Sequence, residues 1–286
     1  MDDNGVVKDC IGIIKSKYNG LSGAARKIAD FILGESENAI HLTIVEFAEK
    51  CEVSEASVVR FCQNAGYKGF NDMKINLAAQ MNTGNQIILE DVGEEDDDGT
   101  IFKKVFNSEI QALQATMDNL DIKAFERAVN SIVFAGTVEF FSFGNSRSIG
   151  QDIHYRFLRI GINSRIGVDT SDSLIHASML SPGDVAIGVS HSGSTKHTVK
   201  MLEEARNKGA ITICITGYEK SPITKAADIC LMSASRETAF REVSMTSRIA
   251  QIGILDALFV AVAFKRIERS KKHIHHTDKL LSEEKF

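Results

Sequence analysis

The sequence predicts an all-α amino-terminal domain followed by a carboxy-terminal α/β domain with a mainly parallel five-stranded sheet flanked by helices. Three observations predict it. Up to about residue 85 the apolar residues recur at helical spacing; from residue 138 short apolar runs alternate with amphipathic ones; between these two regions lies a strongly acidic run. With 286 residues, 43% of them hydrophobic and 25% charged, the chain has the apolar content for two ordinary cores, which excludes disorder throughout.

The chain starts with Asp2 and Asp3 where an export signal would be basic, and no apolar segment precedes Lys8 and Asp9, so no such signal is read. Helical patterns cover 6–17 and 22–33, the second with Ile28, Ala29, Phe31 and Ile32 as its apolar stripe. A helical face follows over 43–50, then a turn at 51–53. Ser54 is placed to cap the next helix, 55–64, by accepting a bond from an otherwise unpaired backbone N–H. In that helix Val58, Phe61 and Cys62 share one face, while Glu55, Ser57, Arg60 and Gln63 fall largely elsewhere. Short polar residues at its start would let the backbone approach base edges, and Arg60 has the reach for a guanine or a phosphate. An ordinary helical bundle with a solvated polar face fits the same spacing.

Charge narrows the choice. The net charge is −5, and residues 1–82 hold nine Lys and Arg against eleven Asp and Glu, which excludes a protein that coats nucleic acid non-specifically. A specific, dimeric reader of DNA is not excluded. The carboxylates of 90–99 repel one another around two glycines, so 86–100 reads as an acidic linker between a domain at 1–85 and one at 101–270.

In the second domain, helices are expected at 101–120 and 122–133. Strands follow at 138–143, 162–166, 184–189, 210–216 and 228–232, alternating with helical spacing at 148–160, 173–180, 196–208 and 223–227. Such alternation implies ligands at the carboxyl ends of the strands. A last long helix covers 246–268. Its most apolar part, 252–264, is interrupted by Asp256 and is shorter than the roughly 20 residues that span a bilayer, so it reads as buried and no membrane partner is expected. Residues 271–286 read as a polar tail. The five cysteines (Cys10, Cys51, Cys62, Cys214, Cys230) are odd in number, widely spaced and without a C-x-x-C pair, as in reduced thiols of a cytoplasmic protein.

Two loops carry candidate chemistry. The strand at 184–189 runs into Ser190, His191, Ser192, Gly193, Ser194 and Thr195, just before a helix. Hydroxyls and free N–H groups at a helix start are donors that a phosphate needs, and Gly193 permits close approach. Capping and turn formation explain one or two of the hydroxyls, though not readily four around one glycine. The loop from Gly144 through Asn145, Ser146 and Arg147 to Ser148 also joins a strand to a helix, at the same sheet edge. No Walker-type loop or dinucleotide fingerprint occurs, so no cofactor is implied. His273, His275 and His276 lack a four-ligand set even with Asp278, and no metal site is assigned.

Taken together, Leu42-Thr43-Ile44, Phe47-Ala48, the run Val53 to Cys62, Gly66-Tyr67-Lys68-Gly69-Phe70 and Lys74 closely resemble the amino-terminal domain of the RpiR family of bacterial regulators. The resemblance implies that the helix Ser54 to Asn64, with Ser54, Glu55, Ala56, Ser57 and Arg60, is the recognition helix, and that Tyr67, Lys68 and Lys74 contact DNA phosphates. Core packing is the competing role for Tyr67 and Phe70.

The carboxy-terminal part resembles the sugar isomerase (SIS) domain, whose phosphate loop Ser-x-Ser-Gly-x-Thr is matched by Ser190, Ser192, Gly193 and Thr195. That resemblance adds Ser148 to the phosphate site. Ser146 departs from the family's usual second glycine and either adds a hydroxyl contact or narrows the pocket. Glu237 is implicated in binding sugar hydroxyls, with a salt bridge to Arg236 or Arg241 as the alternative.

The implied function is a regulator whose affinity for operator DNA is controlled by a phosphorylated sugar, assembled as a homodimer or higher homo-oligomer through its SIS domains. The rival is a SIS-type aldose–ketose isomerase, for which Glu237, His154 and His191 are the acid–base candidates. No histidine lies between His197 and His273, and a DNA-reading domain has no role in isomerisation, so a non-enzyme is expected.

Overall fold

The computed structural model describes residues 10–81, 92, 95–234 and 245–282. The chain divides into two compact units within a helix, after Asn107.

The amino-terminal unit is helical: α1 (Cys10–Lys17), α2 (Gly23–Gly34), the short α3 (Ser36–Ala39), α4 (Ile44–Lys50), α5 (Glu55–Asn64) and α6 (Phe70–Met81). Both α3 and α6 go beyond the sequence reading. Phe47 on α4 is fully buried at the centre, edge-on to Phe31 at 5.3 Å and tilted against Phe70 at 4.9 Å. Ile14, Ile28, Ile32, Met73 and Leu77 close the core around it. Each such side chain stabilises the fold by about 1.5–3 kcal/mol through burial, which an acidic, uncrosslinked domain of this size requires.

Helix α7 (Asp98–Asn119) begins inside the stretch read from sequence as linker. The Asp97 carboxylate accepts the Thr100 N–H at 2.7 Å, and Asp96 pairs with Lys104 at 2.7 Å. Carboxylates that repel one another in an extended chain are favoured at a helix start, where the N–H groups are unpaired and the dipole is positive. The rest of the acidic run, apart from Val92 and Glu95, lies outside the described residues.

The second unit continues through α8 (Ile122–Val133), β1 (Val138–Ser142), α9 (Arg147–Arg159), β2 (Ser164–Ile166), α10 (Thr170–Met179), β3 (Val185–Val189), α11 (Lys196–Asn207), β4 (Ile211–Thr216), α12 (Pro222–Ala226), β5 (Ile229–Met232) and α13 (Met245–Lys265). All five strands are parallel in the order β2-β1-β3-β4-β5. Burial on both faces explains why β3 reads as a continuous apolar run, while in the equally buried β1 the Glu139 carboxylate is paired with His176 Nδ1 at 3.0 Å. One face packs on α8, α9 and α13 through Phe140, Phe157, Ile132 and Leu258; the other packs on α10, α11 and α12 through Phe141, Ala177, Met201 and Ile223.

The long helix α13 lies within a few residues of the one expected over 246–268. It has 21 residues and is long and apolar enough to cross a membrane by length and composition, yet Ile254, Leu255, Leu258 and Val262 lie in the core of this unit while Phe264 is exposed. Residues read as a polar tail form a further helix, α14 (Ile267–Ser282). It is tied to α9 by Arg159, which pairs with Asp278 and donates to Thr277 Oγ1, and by His273 lying over Gly161. Long charged side chains that look solvated in one dimension can cover a neighbouring helix with their stems.

Candidate functional site

Two sites are built, one in each unit. In the first, Thr43 begins α4 with a reciprocal cap: Glu46 N–H donates to Thr43 Oγ1 at 3.2 Å, and Thr43 N–H donates to Glu46 Oε2 at 2.9 Å. The turn to α5 contains Glu52 at φ 52°, a left-handed conformation, with its carboxylate paired to Lys27 Nζ at 2.6 Å. Ser54 caps α5, its hydroxyl accepting from Ser57 N–H at 3.2 Å. Val58, Phe61 and Cys62 are buried, which leaves Ser54, Ala56, Arg60 and Gln63 exposed, with Glu55 and Ser57 half-exposed between them. Lys68 is also exposed, while its backbone N–H is held by Asp72.

The other two residues suggested for phosphate contact sit differently. Tyr67 is 3% exposed and belongs to the core. Lys74 is half-buried and donates from Nζ to the Leu42 carbonyl at 2.7 Å, with the ammonium 5.6 Å from the Phe70 ring centroid. Burial pulls its pKa down to about 8, against a weaker opposing pull from Glu46. Its proton is therefore engaged inside the domain, bracing the chain just before α4.

The second site lies at the carboxyl edge of the sheet. The strand order reverses at β1, which has β2 on one side and β3 on the other, so the connections diverge there, the position at which open α/β sheets generally bind ligands. Ser142 is paired with Val189, so the loops following β1 and β3 start side by side. The β1 loop forms a single turn, Gly144–Ser146, and passes into α9; Arg147 donates to the carbonyls of Gly167 and Val168, bracing it against the β2 connection. Ser146 is half-buried and Ser148 exposed. Gly150 lets α9 approach β1, since a Cβ there would stand 2.1 Å from Ser142 Oγ.

The β3 loop is closed on itself. Ser190 Oγ and Thr195 Oγ1 share a hydrogen bond at 3.0 Å, Gly193 N–H donates to the Ser190 carbonyl, and Ser194 N–H donates to Ser192 Oγ at 3.3 Å. Gly193 has φ +61°, and a Cβ there would meet Ser221 Oγ at 2.2 Å. From outside, Thr216 Oγ1 and Gly217 N–H both donate to the His191 carbonyl at 2.9 Å. The loop is thus a preformed turn whose hydroxyls cluster before α11. Neither α9 nor α11 carries an acidic residue in its first turn, and they begin with Arg147 and Lys196, so both helix starts present positive potential without a neighbouring carboxylate. That arrangement favours a phosphate dianion.

Thr216 and Ser221, which shape this loop from β4 and the β4–α12 connection, went unrecognised in the sequence. Their contacts span about twenty-five residues, and no local signal marks them. Glu237 lies outside the described residues. The isomerase candidates diverge. His154 bonds Ser164 Oγ at 2.9 Å, at the amino end of β2 and away from the loops, and burial lowers its pKa. The His191 ring lies edge-on to Tyr218 at 5.3 Å beside the loop.

Comparison with known proteins matches a domain family to each unit. Residues 9–84 match the helix-turn-helix domain of the rpiR family and residues 131–261 match the SIS domain. An uncharacterised HTH-type transcriptional regulator of Caldanaerobacter subterraneus is 34% identical over 97% of this chain and 99% of its own length. The HTH-type transcriptional regulator HexR of Pseudomonas aeruginosa is 30% identical over 91% of each chain. Among solved structures, the Vibrio vulnificus NanR protein complexed with ManNAc-6P aligns with a TM-score of 0.80 at 26% identity, over 96% of this chain and 98% of that one.

Proposed function

This chain belongs to the RpiR family of helix-turn-helix transcriptional regulators, and we propose that it reads operator DNA with the exposed face of α5 while a sugar phosphate in the loops after β1 and β3 sets its affinity. The observation that carries this reading is the closed hydroxyl loop Ser190–Thr195, built at a switch point of the sheet and followed by a helix start free of acid. A chain that joins such a loop to a capped recognition helix has an input and an output.

Ser192, Ser194, Thr195 and the Gly193 turn hold the phosphate, with Ser146 and Ser148 facing it from the β1 loop; Glu237 binds sugar hydroxyls. Arg60, with Ser54, Glu55, Ala56 and Ser57, reads bases, and Lys68 holds the DNA backbone. An acidic, single helix-turn-helix makes too few phosphate contacts to bind tightly alone, so two copies paired through their SIS domains are expected to read two-fold related half-sites. The protein works in the cytoplasm, where the DNA is. It binds its sugar without turning it over, which the location of His154 at the amino end of β2 supports.

The test is a thermal-shift panel of sugar phosphates that includes ManNAc-6P, followed by titration of the best ligand into the protein–operator complex. A ligand at 100 times its Kd stabilises the fold by about 2.7 kcal/mol. Replacing a donor hydroxyl removes a charge-assisted bond of about 1.5–3 kcal/mol, so Ser192→Ala and Thr195→Ala should each cost one to two decades of ligand affinity and leave DNA binding by the unliganded protein intact. Mutants that respond as wild type does would remove the loop from the site, and steady conversion of the sugar would favour the isomerase.

A further inference from the structure

Cys214 and Cys230 are separated by sixteen positions in sequence but directly paired in the sheet, Cys214 on β4 and Cys230 on β5. Register partners on adjacent strands project from the same face, and both cysteines pack into the cluster under α11 and α12. Neighbouring strands lie about 4.8 Å apart, within the roughly 4.4–6.8 Å between Cα atoms that a disulfide tolerates. The Cys230 thiol donates to the Thr224 carbonyl at 3.8 Å. β5 is the edge strand, paired on one side only, so it can shift slightly toward β4.

From this geometry we infer that Cys214 and Cys230 form a reversible dithiol–disulfide site, oxidised by hydroperoxides. The two residues are unequal in the way this requires. Cys214 is fully buried, whereas Cys230 is half-exposed at the sheet edge. The neighbouring Cys214 thiol lowers the pKa of Cys230, aided by the charge of Arg127 and opposed by burial, while the Cys230 thiol and burial raise that of Cys214. Cys230 is therefore the attacking thiolate and Cys214 the resolving thiol. Two of the three cysteines of the amino-terminal unit contrast with this pair: burial pushes Cys51 up to about 11 and Cys62 up to about 12, so both stay protonated and inert.

In the first step the Cys230 sulfur attacks one oxygen of hydrogen peroxide, the O–O bond breaks, and the leaving hydroxide takes up a proton to become water, leaving a sulfenic acid. The Cys214 sulfur then attacks the Cys230 sulfur; the S–S bond forms, the S–O bond breaks, and the departing hydroxide takes the Cys214 proton as a second water. Two thiols lose two electrons and one peroxide becomes two waters. A bridge between directly paired strands is strained, and strained bridges are readily reduced, which suits a reversible site better than a structural one. The bridge would form two residues before Thr216, the residue that holds the His191 carbonyl of the β3 loop.

The experiment uses the full chain, reduced with dithiothreitol, desalted, exposed to hydrogen peroxide without denaturant, alkylated and digested with trypsin. The expected result is a disulfide joining the peptides that contain Cys214 and Cys230, a mass loss of about 2 Da in the intact protein, a fall from five alkylatable thiols to three, and full return with fresh dithiothreitol. In Cys214→Ser, or Cys214→Ala if the serine variant misfolds, Cys230 should accumulate as a sulfenic acid trapped by dimedone. Retention of all five thiols would overturn the inference. So would a wild-type Cys230 carried to sulfinic acid without the linked peptide, or a bridge between other cysteines.

Discussion

Among the turns that hold a residue in the left-handed region, two do so for opposite reasons. Glu52, between α4 and α5, sits at φ 52°; Gly193, between β3 and α11, sits at φ +61°. Beyond the backbone at Glu52 there is solvent, and the side chain reaches out to Lys27. Beyond Gly193 stand Ser221 and Thr216, within 3 Å of where a Cβ would lie. One conformation is therefore a modest local cost that a non-glycine residue bears, and the other is a steric requirement of a loop packed against Ser221 and Thr216. A turn that only redirects the chain tolerates many residues, whereas a turn pressed against neighbouring side chains does not.

The comparison breaks most sharply at Gly193. Gly193→Ala should cost about 3 kcal/mol of stability from backbone strain and overpacking together and abolish stabilisation by sugar phosphate, both read in one thermal melt with and without ligand. A variant that keeps wild-type ligand response would place the phosphate elsewhere.

Next in size is Arg60→Ala on the exposed face of α5. It is expected to lose about 1–3 kcal/mol of operator affinity and relax discrimination at one base pair per half-site. Unchanged binding by a folded variant would deny Arg60 that role.

Lys74 sharpens the comparison through pH. Its folded pKa of about 8 lies below the ordinary 10.5, so at pH 9 the unfolded chain binds the proton that the folded chain has released. Stability from this residue therefore rises as pH climbs from about 8 toward 10.5. Denaturant midpoints across that window should show the rise in wild type and lose it in Lys74→Met, relative to other titrating groups.

The smallest effect is expected at Glu52→Gly, where relief of the left-handed conformation opposes the loss of the Lys27 contact and the added freedom of the unfolded chain. The melting temperature should stay within about 2 °C of wild type; a fall of several degrees would show that the turn depends on its side chain after all.

Much of both sites was legible before any coordinates. Ser54 as a cap and α5 over 55–64 follow from a short polar residue ahead of an i, i+3, i+4 stripe, and the structure agrees to the residue. The strand positions agree to within a residue or two, because an apolar run between turn residues is a local signal. Lys74 and Tyr67 were harder to place. A lysine and a tyrosine after a recognition helix look like phosphate ligands until the fold buries the ring and turns the ammonium toward Leu42. The acidic residues at 96–98 misled in the other direction, since repulsion along a chain and attraction at a helix start use the same carboxylates.

By itself, then, the sequence determined the five strands and most of the helices, which hydroxyls crowd around Gly193, and that Ser54 caps α5. Periodicity, capping and glycine chemistry act over fewer than ten residues and are written in the order of the chain. Only the tertiary structure decided the strand order β2-β1-β3-β4-β5, the grip of Thr216 on the His191 carbonyl, the docking of α14 against α9, and the pairing of Cys214 with Cys230. Those are contacts between residues far apart in the chain, chosen by the burial of two sheet faces at once, and no short window of sequence contains both partners.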